Sequence, residues 1–448
     1  MTQAFATKIR TTLPQATLRD TLGIIAQVVV PTIAKGLIIR RPKVVALAEL
    51  LDLDQRAVRR MQQIRNKYGA GPLLLRIPIR SQAVILSPEH VHRVLEGSPE
   101  PFATASSEKR SALAHFQPRG VLISHGPERA DRRRFNEEVL DTGQTLHRLA
   151  DRFVSVVHEE AELLLGAVRH RGVLIWDDFA ITWFRIVRRV VFGDAARDDR
   201  ELTALIDQLR SAANWAFLMP KQRQLRNQFY DRLRGYLAHA DPNSLAGVMA
   251  ATRTTSATEP AQQVPQWLFA FDPAGMATFR ALALLASHPQ HAEQAREEIN
   301  RSGTVQPDLP YLRACVLESL RLWPTTPAVL RQSTVETEWE TGIMPAQTGI
   351  LIFTPFFHRD DQRLPYANRL APELWLRHRT AQDWPLIPFS EGPAMCPGWN
   401  LVLLVSSVML AALLDGRQIR LQSPTRLDPH RPLPGTLDNY SLRFELNG

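Results

Sequence analysis

The sequence predicts a mainly α-helical chain with small β-sheets, on three observations. Apolar residues recur at helical spacing from about residue 40 to 320, shorter Pro-punctuated apolar runs follow Pro324, and a long apolar helix returns near the C-terminus. No Gly/Ser-rich linker divides the helical stretch, so the 448 residues read as one large domain. Within it, 1–40 is an N-terminal extension, 41–120 holds a small β-region, and 121–448 is the helical core with a candidate site loop. An apolar fraction of 44% can bury a large core, and 22% charged residues is too few for a disordered chain.

The elements follow in order. Val44, Leu47, Leu51, Val58, Met61 and Ile64 suggest helix from Pro42 to Tyr68. Leu73–Arg80 and Gln82–Leu86 read as two strands around a tight turn at Ser81. Ser87 caps a helix with Pro88 in its first position. Gly126 opens another, to about Leu140, and helices are expected at 144–169, 174–193, 198–214, 219–240, 261–286, from Pro289, and from Leu309 to Leu322. Gly349–Phe353 looks like a strand, and Cys396 opens the final apolar helix to Leu414.

Composition excludes several function classes. The net charge is +9, carried by 48 arginines and six lysines, but acids are interleaved throughout and no basic–aromatic cluster points to nucleic acid. A basic surface can still attract an acidic protein or an anionic membrane. Two cysteines, Cys315 and Cys396, make no disulfide framework and fit a reducing compartment. Cys315 lies on an apolar helix face and reads as core. The longest charge-free run near the N-terminus, Thr21–Ala34, has 14 residues and contains Gln27 and Pro31. About 20 apolar residues are needed to span a bilayer. No transmembrane anchor is therefore expected, and the location read from the sequence is cytoplasmic, with a peripheral membrane contact left open.

Chemistry concentrates in Pro388-Phe389-Ser390-Glu391-Gly392-Pro393-Ala394-Met395-Cys396-Pro397-Gly398. A cysteine in a Pro/Gly loop at a helix start meets free backbone N–H groups that can bond its sulfur. A thiolate there needs a metal or positive charge to be stable. Glu318-Ser319-Leu320-Arg321 places a carboxylate and a guanidinium one turn apart among apolar neighbours, where a pair must be fully hydrogen-bonded.

Together these motifs resemble the cytochrome P450 superfamily. Its pattern Phe-x-x-Gly-x-x-x-Cys-x-Gly is matched by Phe389, Gly392, Cys396 and Gly398, and its Glu-x-x-Arg structural brace by Glu318 and Arg321. The resemblance implies haem b (iron protoporphyrin IX), bound between the long central helix and the Cys loop, with Cys396 as iron ligand. It also implies Ala274, Gly275 and Thr278 over the iron, the first two leaving room for dioxygen and the third donating a hydrogen bond. Pro273, lacking an N–H, should open or kink that helix. Arg129, Arg133 and Arg331 are the implied partners of the haem propionates, ahead of His125.

Three departures from the family pattern stand out. Ala277 replaces the acid before the threonine, leaving Asp272, six residues earlier, or a water chain to bring protons. Ala394 replaces a usual propionate-binding cation. Leu374 cannot complete the family's Glu–Arg–Arg brace, and Arg369 or Arg377 could substitute. His288 and His291 are three apart, but read as solvated helix-start residues rather than a metal site.

The implied function is a haem-thiolate monooxygenase acting on a hydrophobic organic substrate. Leu268, Phe271, Ala274, Thr325–Val329 and the 104–118 region are expected to line its pocket. Electrons would come from a separate ferredoxin or flavodoxin-type donor with its reductase, docking near Arg132 and Arg134. The rival readings are a peroxide-dependent or isomerising haem-thiolate enzyme, and a non-catalytic haem sensor or carrier.

Overall fold

The protein is described from a computed structural model, over residues 11–447 apart from 217, 303–306 and 423–426. The first ten residues of the expected N-terminal extension lie outside the described residues.

One helix organises the fold. Val264–Ser287 runs through the interior, and from Phe271 to Leu285 every residue but Pro273 is buried. A helix apolar all round belongs in a core. It packs against Trp176–Phe192, Pro310–Leu322 and Trp399–Leu414. Together with Pro273, Val264–Ser287 is assigned as one uninterrupted helix; Phe271 presents its carbonyl to the indole N–H of Trp183, 2.7 Å away. Among the described residues, Pro260–Ser287 is the one stretch long and apolar enough to cross a membrane, and it is core.

The other expected helices appear as Pro88–Glu96, Gly126–Val139, Ala150–Val168, Arg200–Ala213, Arg223–Ala238 and Pro289–Ser302. Ser87 Oγ caps the first of these through the His90 N–H at 3.2 Å. Differences are local. The expected helix from Pro42 to Tyr68 is two helices, Pro42–Leu50 and Leu53–Tyr68, broken where Asp52 adopts a positive φ of 50°. Because the apolar pattern was read across this break, Leu47 and Leu51 are exposed while Val45 and Ala48 face the core. The stretch from 174 begins with a strand, Val173–Ile175, before its helix.

The β-structure is small. A five-stranded sheet runs in the order Leu73–Leu74, Gln82–Val84, Gly349–Phe353, Ala328–Ser333, Phe102–Ala103. The first hairpin is shorter than its sequence suggests. Pro78 cannot donate a ladder bond, and Ile79 is 94% exposed at the tip of a wider loop. In the sheet interior, Arg331 pairs in register with Ile350. Val329 and Arg331, two residues apart, share one strand face and reach the same cavity. A three-stranded sheet joins Val173–Ile175, Arg443–Asn447 and Gln418–Leu421.

Candidate functional site: a cysteine loop, a brace and a basic cavity

Glu318 and Arg321 form the rigid base of the site. Both are 0% exposed. Arg321 grips the carboxylate with Nε to Oε2 at 2.7 Å and NH2 to Oε1 at 2.6 Å. Its remaining donors reach the carbonyls of His358, Ala367, Tyr366 and Arg369. A buried ion pair is tolerable only when its other hydrogen-bonding capacity is filled. Glu318 fills its own with the Ala371 N–H at 2.8 Å and the Trp375 indole N–H at 2.9 Å. Trp375 thus supplies the donor that Leu374 cannot. The side chains of Arg369 and Arg377 do not: Arg369 offers its carbonyl, and Arg377 pairs with Asp383.

The brace steadies the cysteine loop. His358, whose carbonyl Arg321 holds, accepts the Ile387 N–H on Nε2 at 2.9 Å, two residues before Phe389. Within the loop the Cys396 N–H donates to the Phe389 carbonyl at 3.0 Å, and Met395 N–H to Gly392 at 2.9 Å. Gly392 has φ +68°, and a Cβ there would lie 2.5 Å from the Leu95 carbonyl, so only glycine fits. The helix starts at Trp399 rather than at Cys396, because Pro397 biases the residue before it away from helical geometry. Gly398 has room for a side chain, and its contribution is its N–H, which bonds the sulfur. Burial pushes the Cys396 thiol up, opposed by the Gly398 N–H and the charge of Arg133.

Cys396 opens on a cavity of about 340 Å³ and on an adjoining lobe of about 210 Å³. Phe269, Ala270, Val329, Phe389 and Val402 line both, so the two are parts of one chamber between the central helix and the cysteine loop. Arg129, Arg133 and Arg331 all line the larger part. Arg133 is engaged by Glu137 and donates to the Met395 carbonyl at 2.6 Å. Arg331 bonds Ser98, Ser390 and the Leu330 carbonyl, and Arg129 reaches Thr104 Oγ1 at 3.4 Å. Neither has a carboxylate partner among the described residues. Burial pulls Arg331 down to about 10, with repulsion from Arg129 adding to it.

The central helix places the sequence-derived residues unevenly. Ala274 lines the smaller lobe, beside Asp272 and Pro273. Gly275 and Thr278 are buried but outside both linings. Gly275 faces Trp183, and a Cβ on it would come 2.8 Å from the indole nitrogen. The Thr278 hydroxyl donates to the Ala274 carbonyl on its own helix at 2.8 Å. Asp272 is buried and ion-paired with Arg210, which also bonds Asp207 at 2.9 Å. Burial pushes Asp207 up to about 6, with Arg210 opposing.

Of the other expected lining, Phe271, Thr325–Val329 and Thr104, Glu108, Lys109, Ala112 and Leu113 of the 104–118 region are present, while Leu268 is buried elsewhere. Arg132 is no docking cation: it is buried, bonding Ser124 and the Ala257 carbonyl. Arg134 is partly exposed but paired with Asp131 and Glu138. His125 bonds Arg110. His288 and His291 are not solvated; their Nδ1 atoms bond the Leu284 carbonyl at 2.9 Å and Tyr311 Oη at 2.7 Å. Cys315 is core, as its helix face suggested. Arg210, Lys109 and Trp375 were not singled out from the sequence. Only Trp375 left a signal there, as an indole donor beside the missing arginine.

The residues present fit haem. Among the described residues no group of three or more His, Cys, Asp or Glu could hold a metal ion. A haem iron would take its protein ligand from the Cys396 thiolate. Arg129 and Arg331, buried without carboxylates, suit the two propionates.

Comparison with known proteins agrees. The family model "Cytochrome P450" matches residues 245–436. A segment of 152 residues is 32% identical to cytochrome P450 76C3 of Arabidopsis thaliana, covering 32% of this chain and 28% of that protein. Another of 162 residues is 32% identical to cyclooctat-9-en-7-ol 5-monooxygenase of Streptomyces melanosporofaciens, covering 34% and 33%. These matches span about a third of the relatives' length. The structure of retinoic acid bound cyanobacterial CYP120A1 superposes with a TM-score of 0.70 at 17% identity, over 86% of this chain and 93% of that one. The brace, the cysteine loop and the basic cavity are therefore set on the fold of that structure, and over residues 245–436 the chain is similar to cytochrome P450.

Proposed function

We propose that this protein is a haem-thiolate monooxygenase that inserts one oxygen atom from dioxygen into a hydrophobic organic substrate. The observation that carries the reading is Cys396, held by a bonded loop at the floor of an apolar chamber whose roof is the central helix. Haem supplies the oxygen-activating chemistry, and a thiolate ligand favours O–O cleavage. The protein's own residues do the rest. Cys396 binds the iron, and the Gly398 N–H moderates the charge on its sulfur. Arg129 and Arg331 orient the cofactor through its propionates. Phe269, Ala270 and Val329 exclude water around the substrate. Asp272, paired with Arg210 at the lobe wall, holds the proton-bearing position that Ala277 cannot, and Asp207 extends the pair.

Electrons come from a separate ferredoxin or flavodoxin-type protein, since two cysteines cannot ligate a four-cysteine cluster. The test is the carbon monoxide difference spectrum of the reduced protein, followed by turnover with a surrogate redox partner. A thiolate-type band, lost in Cys396→Ser, is expected. Colourless protein from cells fed a porphyrin precursor would end the proposal. A peroxide-driven reaction is the second reading. It is favoured by one observation: the central-helix residues lining the chamber include no hydroxyl. Turnover with peroxide and none with dioxygen and reductant would select it.

A further inference from the structure

Lys109 sits on the short helix Ser107–Leu113 and lines the larger cavity with Arg129 and Arg331. Among the described residues its ammonium has no hydrogen bond and no carboxylate partner, while its backbone N–H is taken by the Ser106 cap. Neighbouring Glu108, the one carboxylate in this lining, is paired with Arg80. Arg133 is paired with Glu137. Lys109, Arg129 and Arg331 are therefore three basic side chains lining one cavity with no carboxylate ion-paired to any of them among the described residues. Resting on the haem reading above, the cofactor brings two carboxylates, which satisfy the two arginines by their planar forks. One cation is left over.

Much of the rest of the same lining is apolar, Leu37, Ile38, Ala112, Leu113 and Leu122 among it. An uncompensated charge in such a place is costly unless something pairs with it. We infer that Lys109 is the recognition point for the carboxylate of the substrate, and that the substrate is an apolar acid whose hydrocarbon body fills the chamber over Cys396. Burial, with Arg331 and Arg129 nearby, drives the ammonium of Lys109 well below its ordinary range. An incoming carboxylate reverses that penalty, which gives the site a preference for acids over neutral molecules of equal size.

The test uses the full-length haem-loaded protein and two probes: a long-chain ω-imidazolyl alkanoic acid and its methyl ester. Both report binding through the optical spectrum of the iron, and they differ only at the far end. The acid is expected to bind wild type at least about tenfold more tightly than the ester. Lys109→Met and Lys109→Gln should both erase that preference, with haem transfer to a haem-scavenging protein no faster than in wild type. Equal affinities in wild type, or a preference surviving both substitutions, would overturn the inference. Faster haem loss with the preference intact would assign Lys109 to a propionate instead, and so also overturn it. Protein with no haem spectrum at all would remove the underlying functional reading as well.

Discussion

The indole N–H of Trp375 donates to Glu318 Oε2 across 2.9 Å, closing a carboxylate that Arg321 and the Ala371 N–H already hold. Removing that donor in Trp375→Phe leaves a buried carboxylate oxygen short of one partner, at a cost of about 1–3 kcal/mol. Glu318→Gln goes further, stranding Arg321 at 0% exposure, with an expected loss of about 3–5 kcal/mol. Denaturant unfolding should rank them in that order. Arg369→Ala should stay close to wild type, because only the Arg369 carbonyl is used. An Arg369→Ala cost matching that of Trp375→Phe would refute this assignment.

Gly275 and Trp183 predict a second effect. The indole that bonds the Phe271 carbonyl lies where a Gly275 side chain would go, 2.8 Å from its Cβ. Gly275→Ala must push the ring aside and sacrifice a buried hydrogen bond, costing about 1–3 kcal/mol despite alanine's better helix propensity. A drop in Tm is expected. Because Gly275 is outside both cavity linings, ligand affinity measured well below Tm should be unchanged. A large change in affinity with unchanged Tm would contradict this.

The brace and the cysteine loop were legible in the sequence because each is local: Glu318 and Arg321 share one helical turn, and Gly392 to Gly398 is one continuous loop. Residues whose roles depend on what packs against the helix were not. The small-residue run at Ala274-Gly275 identifies the central helix, but only the fold shows that Gly275 turns toward Trp183 and that Thr278 bonds its own backbone. Arg210 lies 62 residues from Asp272, and no local pattern links them. Arg132 looked like a surface charge because a basic run usually is one, and tertiary packing buried it against Ser124.

These contacts make a testable contrast between Asp272 and Thr278. In reductant-driven turnover, Asp272→Asn is expected to divert more of the reducing equivalents to peroxide, because it removes the acid at the lobe wall. Thr278→Val should alter coupling little, since its hydroxyl is spent on the Ala274 carbonyl. Peroxide yield per electron consumed is the measurement. The reverse ranking would show that Thr278 leaves its helix bond and works in the chamber.

His358 predicts an acid-dependent loss of stability. Its ring is fully buried; Nε2 accepts the Ile387 N–H at 2.9 Å, so the proton sits on Nδ1, facing the Arg321 carbonyl at 3.2 Å. Burial, with Arg321's charge adding, depresses its pKa from 6.5 to about 3. The native state therefore binds this proton less readily than the unfolded chain does. The stability contributed is complete above pH 6.5 and drains away as the pH falls toward 3, on the order of 5 kcal/mol over the full interval. Protonation also sets an Nε2–H against the Ile387 N–H, which anchors the strand of chain leading to Phe389 and Cys396. His358→Gln, which can still accept there through its amide oxygen, should be less stable than wild type at neutral pH but show a shallower decline toward about pH 4. Denaturant unfolding across that range, with hydrogen exchange at the Ile387 amide, is the measurement. Parallel pH profiles for the two proteins would place the acid sensitivity on other groups.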